Sequence, residues 1–310
     1  MHRKTVFPSG ADVSVGSCIS SPRRPPGLFP ISHDLVFWLS LALKLLLTAG
    51  IVVTASIVVE RAGPLIGALV VTLPVTVWPA FVFLSLDHDA AFLAQTALSG
   101  LAINAVTAVF MLVYLLLAQK RGLLLSLCAA ITCWVVLALS IRSIAWTVVS
   151  AGLLNLVAYG ACIRLGNRFR EAQVPRLGRQ WYELPLRTLL VCALMGAVLV
   201  LSTWAGPVAT GILAVFPIST SCTMLILHPR IGGRATAAVI ANGLWGLFGI
   251  GWGLFALYVT IEPLGTGVGL ALTLAVPVCW NLSVWAARRR GLLAMRRRST
   301  PAADQSAVAK

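Results

Sequence analysis

Nine apolar runs, each close to the ~20 residues a helix needs to cross a bilayer, fill most of this 310-residue chain. They are Leu35 to Val59, Pro64 to Leu86, Ala91 to Ala118, Gly122 to Ile141, Ile144 to Ile163, Leu186 to Trp204, Pro207 to Leu227, Ala235 to Ile261 and Leu264 to Ala286. In hydrocarbon every backbone N–H and C=O must be paired within the protein, and continuous runs of this length select the helix. Composition excludes the other classes. The chain is 59% hydrophobic and only 11% charged, with a mean hydropathy of +0.92, whereas a soluble domain carries about a quarter charged residues. It is too apolar for disorder, and its seven cysteines lack the spacing of a disulfide framework. The expected class is therefore an all-α, polytopic integral membrane protein whose first partner is the lipid bilayer.

The stretch from Gly122 to Ile163 is interrupted only by Arg142 and Ser143, and as one helix it would reach about twice the hydrocarbon thickness. It is read as a tight hairpin of two helices. Residues 1–34 lack an apolar signal core and are rich in Ser, Pro and Arg, so they read as a disordered tail. Residues 287–310 form a second, basic tail.

The formal charge of +15 is first a topology signal. With the N-terminus outside, eighteen Lys and Arg fall on the inner side, through Arg61, Lys120, Arg121, the 164–187 segment, Arg230, Arg234 and the C-terminal tail. Five fall outside, and Lys44 lies within the first run. The C-terminus is thus expected in the cytoplasm and the N-terminus in the periplasm or outside the cell. No nucleic-acid partner is needed to explain the charge.

A shift of 143 residues without a gap lays Lys44 on Arg187, Ala62-Gly63-Pro64 on Ala205-Gly206-Pro207, Pro74 on Pro217, Thr76 on Ser219 and Gly100-Leu101 on Gly243-Leu244. A three-residue insertion then brings Cys133-Trp134 onto Cys279-Trp280. This predicts two four-helix repeats, 35–141 and 186–286, joined by a linker helix over 142–163 and a basic loop over 164–185. One intervening helix turns the second repeat upside down, an arrangement recurrent in secondary transporters.

Both repeats resemble the small four-helix GlpM family of bacterial membrane proteins. The resemblance rests on the Gly-Pro helix starts, on Phe216-Pro217-Ile218-Ser219, on His228-Pro229-Arg230-Ile231-Gly232, and on a Trp late in the fourth helix. It covers roughly 44 to 141 and 187 to 285. The first half departs from the pattern, with Leu73 before Pro74 and Asp87-His88-Asp89 in place of the His-Gly element. The resemblance implies a bacterial inner-membrane location and a loose association with glycerol metabolism and exopolysaccharide production, with no settled activity. The order of four helices, a linker and four inverted helices is also similar in topology to the drug/metabolite transporter superfamily.

Pro74 and Pro217 fall near mid-membrane, where each removes an intrahelical hydrogen bond. Thr72 and Thr76 share a face around one, as Ser219 and Thr223 do beside the other. Kinked, hydroxyl-lined helices at matching positions of two halves point to a substrate site. The same hydroxyls could instead re-satisfy the kinked backbone. Asn242 and Asn281 complete the candidate substrate-binding set; like Asn104 and Asn155 they are intramembrane amides that either join helices or line a path. Gly249 with Gly253, and Gly265 with Gly269, have the spacing of close helix approach. Lys44 is the one charge well inside a run, and reads as a snorkelling anchor or as a coupling or anion-binding charge.

No carboxylate lies in a run interior, and no Ser-His-Asp, HExxH, CxxC or phosphate-loop pattern appears. Neither enzyme activity, a catalytic residue, a metal nor a cofactor is expected. The leading expectation is a secondary transporter or exporter of a small polar molecule or metabolite. The alternative is a non-transporting accessory protein of an envelope or exopolysaccharide assembly system. Oligomeric state stays open between a homo-oligomer and a larger membrane complex.

Overall fold

The computed structural model of the chain describes residues 33–61, 76–170 and 180–290, and within them all regular structure is helical. Thr72 and Pro74 of the predicted substrate site lie outside the described residues, as do the tails before residue 33 and after residue 290. The helices are α1 (His33–Arg61), α2 (Val77–Asp87), α3 (Ala90–Leu117), α4 (Leu123–Ile141), α5 (Val148–Gly166), α6 (Glu183–Ser202), α7 (Gly206–Ala214), α8 (Ile218–Leu264) and α9 (Thr266–Arg289). A 3₁₀ turn, Asn167–Phe169, follows α5. The chain divides into two compact units, residues 1–39 and 40–310. Of the first, the described residues are 33–39, the opening turns of α1; the rest of α1 and all the other helices belong to the second.

Among the described residues seven helical segments are long and apolar enough to cross a membrane, and α2 is a shorter apolar helix. The nine separate runs and these seven segments differ at two places. The second run is described only from residue 76 onward. The seventh and eighth runs join into one 59-residue segment from Gly206 to Leu264, roughly 90 Å if straight and about three hydrocarbon thicknesses. That segment is not straight. It breaks at Val215–Pro217 between α7 and α8, and bends at Gly232, whose φ of 80° suits glycine and divides α8 into limbs of residues 218–231 and 233–264.

Local chemistry fixes the remaining helix starts. The Asp89 carboxylate accepts from the Phe92 N–H at 2.9 Å and caps α3. Thr147 and Ser150 form a reciprocal capping box at α5, so the apolar stretch from Gly122 onward is two helices separated at residues 142–147.

α3 is the central helix. In its most apolar window 72% of residues are buried inside the protein, against 17% to 28% for α1, α4, α5, α6 and α9, which leave their other faces to the surroundings. Phe110, Met111, Tyr114 and Leu115 of α3 are fully enclosed, as are Leu244 and Leu254 of α8. The second limb of α8 lies along α3 in the opposite direction: Gly100 faces Leu254, Met111 faces Gly243, and Gly233 abuts the Ala118 carbonyl. Gly211 holds α7 against α3, where a Cβ would overlap Ser99 Oγ and the Thr96 carbonyl. α9 closes on α8 in the same way, with Trp280 over Gly249 and Pro277 over Gly253. Trp134 of α4 donates to Thr107 of α3 at 3.2 Å, and Trp280 of α9 donates to the Trp245 carbonyl at 2.7 Å.

Candidate functional site

The predicted hydroxyl-lined kink at Pro217 is a full break. Val215 leaves the helical region, the Phe216 carbonyl accepts from Ile218 N at 2.7 Å, and Pro217 starts the next helix with ψ of 50°. The break packs on α3, where a Cβ on Gly100 would lie 3.1 Å from Val215, and the Phe216 ring meets Trp134 edge to face. The hydroxyls beside it turn back on their own helix: Ser221 donates to the Pro217 carbonyl and Thr223 to the Ser219 carbonyl, both at 2.9 Å. Thr76 stands at the start of α2, where its carbonyl accepts from Ala80 N at 3.3 Å. The predicted set is therefore not gathered in one place: Pro217, Ser219 and Thr223 stay at the break, while Asn242 is drawn into a different cluster. Asn281 is buried in α9.

At the level of the break, α3, α5 and α8 share a buried amide network. Asn155 donates to the Leu101 carbonyl at 2.9 Å, Asn104 donates to the Leu247 carbonyl at 3.4 Å, and the Tyr159 hydroxyl donates to Asn104 Oδ1 at 3.3 Å. Gly251 makes room for it, since a Cβ there would sit 2.7 Å from Asn155 Oδ1. Unpaired amides in an apolar surrounding are costly, so this network ties three helices together and is at the same time the polar centre of the bundle.

Two cavities flank this centre. One, of about 200 Å³, lies between α3, α7 and the α4–α5 turn, with Gln95, Ser99, Arg142 and Trp146 in its wall and Ala102 and Ile103 deeper in. The other, of about 260 Å³, is almost wholly apolar and runs between α5 and α8, walled by Leu153, Phe248, Trp252 and Phe255 and touching Asn155 and Gly251.

Among the described residues, each end of the bundle is tied by an ion pair and a histidine. At the Asp87 end, Lys44 pairs with Asp87, and His88 shares a 3.0 Å hydrogen bond with Ser202 while stacking on Phe92 at 3.9 Å. At the His228 end, Arg230 pairs with Glu183, and His228 shares a 2.7 Å hydrogen bond with Tyr114. Lys44 is thus no water-seeking anchor: it is 8% exposed and held by a carboxylate. Asp87, His88 and Asp89 each have a separate task, and among the described residues no group of three metal-ligating side chains gathers.

The amide of Asn242 lies at the His228 end, where its Oδ1 accepts from Arg170 Nε at 2.9 Å and its Nδ2 donates to the Ala238 carbonyl at 2.9 Å. Burial holds the Arg170 guanidinium below its ordinary pKa. The sequence alone singles out neither Arg170 nor the Glu183–Arg230 pair. For the pair a signal exists, because the 143-residue shift lays Asp87 on Arg230 and so swaps the charge at one position. No family model, no curated protein and no solved structure matches the chain.

Proposed function

We propose that the chain is a secondary transporter or exporter of a small polar molecule, with nine membrane crossings built as two inverted four-helix repeats around the linker helix α5. The observation that carries this reading is the contact of α3 with the second limb of α8. Gly100–Leu254 and Met111–Gly243 are the same pair of positions under the 143-residue shift, and the two helices run antiparallel. Contacts of that kind are what a two-fold axis between inverted halves produces, and such halves can exchange conformations to open a central site to either side. The orientation is the one given by the basic residues, with Asp87 outside and His228 inside.

In this reading the cavity beside Gln95, Ser99 and Arg142 is an outer vestibule. The helix break at Pro217 offers backbone groups to a polar solute, with the Ser219 hydroxyl beside it and Thr76 at the matching position of the first half. The test is flux. Proteoliposomes are loaded with a panel of polar metabolites, and efflux is followed by mass spectrometry against protein-free liposomes. The expected result is accelerated efflux of at least one solute, slowed by the double substitution Thr76→Ala/Ser219→Ala at equal protein incorporation.

A second reading, an accessory subunit of an envelope or exopolysaccharide assembly system, is favoured by one feature. The apolar groove of Phe248, Trp252 and Phe255 suits the hydrocarbon chain of a lipid-linked intermediate better than a polar solute. Absence of flux for every solute, with a copurifying partner, selects this reading.

A further inference from the structure

The cavity between α3, α7 and the α4–α5 turn differs from the α5–α8 groove in joining a charge to an apolar floor. Leu98, Ala102 and Ile103 form the floor, each at most 5% exposed. Gln95 and Arg142 stand at the rim, both open to solvent. Trp146 closes one side, and its ring is fixed because the indole N–H donates to the Ile141 carbonyl at 3.1 Å. The Ser99 hydroxyl gives its hydrogen to the Gln95 and Thr96 carbonyls, both at 3.0 Å, so the donors left for a ligand are those of Gln95 and Arg142.

Among the described residues neither the Gln95 carboxamide nor the Arg142 guanidinium has a hydrogen-bond or ion-pair partner. No carboxylate lines the cavity, and Asp89, the acid nearest Gln95 along the chain, is engaged in capping α3. The backbone adds charge of the same sign. The wall includes Val208, in the first turn of α7, and Trp146, directly before the Thr147 cap of α5, so the positive ends of two helix dipoles lie beside the cavity.

A guanidinium without an acid, next to a free amide, suits an anionic group with two acceptor oxygens, and a carboxylate meets both donors at once. The floor decides the rest of the ligand. A second charge set against Leu98, Ala102 and Ile103 would be desolvated without a partner, so the body is hydrocarbon. About 200 Å³, against ~300–1,000 Å³ for pockets that hold drug-sized ligands, keeps that body short.

We infer that this cavity binds a short aliphatic monocarboxylate, with the carboxylate held by Arg142 and Gln95 at the rim and the carbon chain on the apolar floor. As a statement about substrate, the inference rests on the transport reading, in which the cavity is the outer vestibule. As a binding site it is tested without any flux.

The experiment measures equilibrium binding of radiolabelled valerate to the full chain in detergent, with unlabelled valerate, its neutral amide valeramide and the dicarboxylate glutarate as competitors. The variants are Arg142→Gln, Ala145→Glu and, as a control for net charge on an exposed residue outside the cavity, Arg164→Gln. Saturable binding is expected, displaced by valerate and at least tenfold less well by valeramide or glutarate. Arg142→Gln is expected to weaken it by about tenfold, as loss of a charge-assisted hydrogen bond does, while Arg164→Gln leaves it unchanged. Ala145→Glu places a negative charge on the cavity wall and is expected to abolish binding; if Arg142→Gln does not fold, this variant decides in its place. The site is overturned if wild-type protein does not bind valerate, if valeramide competes equally, if Arg142→Gln and Ala145→Glu bind like wild type, or if Arg164→Gln weakens binding as much as Arg142→Gln. Efflux of some other solute in the metabolite panel without valerate binding overturns this inference alone. Valerate binding with no accelerated efflux of any solute supports the site and overturns the transport reading.

Discussion

The Asn104 side-chain amide donates to the carbonyl of Leu247 at 3.4 Å, and the two residues are 143 positions apart, the same shift that aligns the two halves of the sequence. Two residues related by the shift can touch only where the proposed axis between the halves passes. The contact lies on α3 and α8, the helices that carry the core, so the axis proposed between the halves would pass through the packing centre of the bundle.

The amide network at that centre sets a first expectation. Tyr159→Phe removes the hydroxyl that reaches Asn104 Oδ1 and leaves the ring packed. Hydrogen bonds between membrane helices contribute about 0.6 kcal/mol on average and at most ~1.7 kcal/mol. The enclosure of Tyr159, fully buried, places the expected loss in the upper part of that range. Reversible unfolding in mixed micelles measures it, and a loss indistinguishable from zero would remove the network's structural role.

Close packing gives a second. Gly211→Leu is expected to drive α7 off α3, because its first side-chain carbon overlaps the Thr96 carbonyl, a backbone group that cannot step aside. Overpacking of this kind costs typically about 1–3 kcal/mol, and more where backbone must move. Gly152→Ala, inside α5 and with nothing within 4 Å of the new carbon, is the control for an unobstructed helical glycine and is expected not to lower the melting temperature. Equal melting of both variants contradicts the α3–α7 contact.

The two ion pairs differ in burial, which separates them energetically. The Lys44–Asp87 pair has side-chain exposures of 10% and 43%, and the Arg230–Glu183 pair 15% and 22%. Breaking a fully buried pair by removing one partner costs about 3–5 kcal/mol, whereas an exposed pair contributes ~0–1 kcal/mol. Water reaches Asp87 more readily than Glu183, so Glu183→Gln is expected to destabilise more than Asp87→Asn. Thermal unfolding of the two single variants checks the order, and the reverse order contradicts the assigned burial.

Much of this fold can be read from the sequence, and the reasons for success and failure are physical. Apolar runs mark α3 to α6 because lipid and protein interior make the same demand on a backbone, and helix ends follow from residues such as Asp89 and Thr147 whose side chains cap locally. Pro217 announces a disturbance, but whether it bends or breaks the helix depends on what packs beside it, here Gly100 and Trp134 from other helices. Lys44 marks the limit most plainly. Hydropathy counts a charge in an apolar run as a cost, while the carboxylate that relieves it lies 43 residues away. Asn242 is legible as an amide within an apolar run; its partner Arg170, drawn in from beyond the end of α5, is not.

Inversion of the two halves underlies the transport reading, and the sidedness of two turns tests it most directly. Lys120 lies between α3 and α4, and Leu264 at the junction of α8 and α9, the corresponding turn of the second half. In a cysteine-free background, Lys120→Cys and Leu264→Cys are exposed in intact cells to a membrane-impermeant thiol reagent, with lysed cells as the control for reactivity. The expected result is labelling of Leu264→Cys in intact cells and of Lys120→Cys only after lysis. Labelling of both from the same side of the membrane would contradict the inverted arrangement and with it the transport reading.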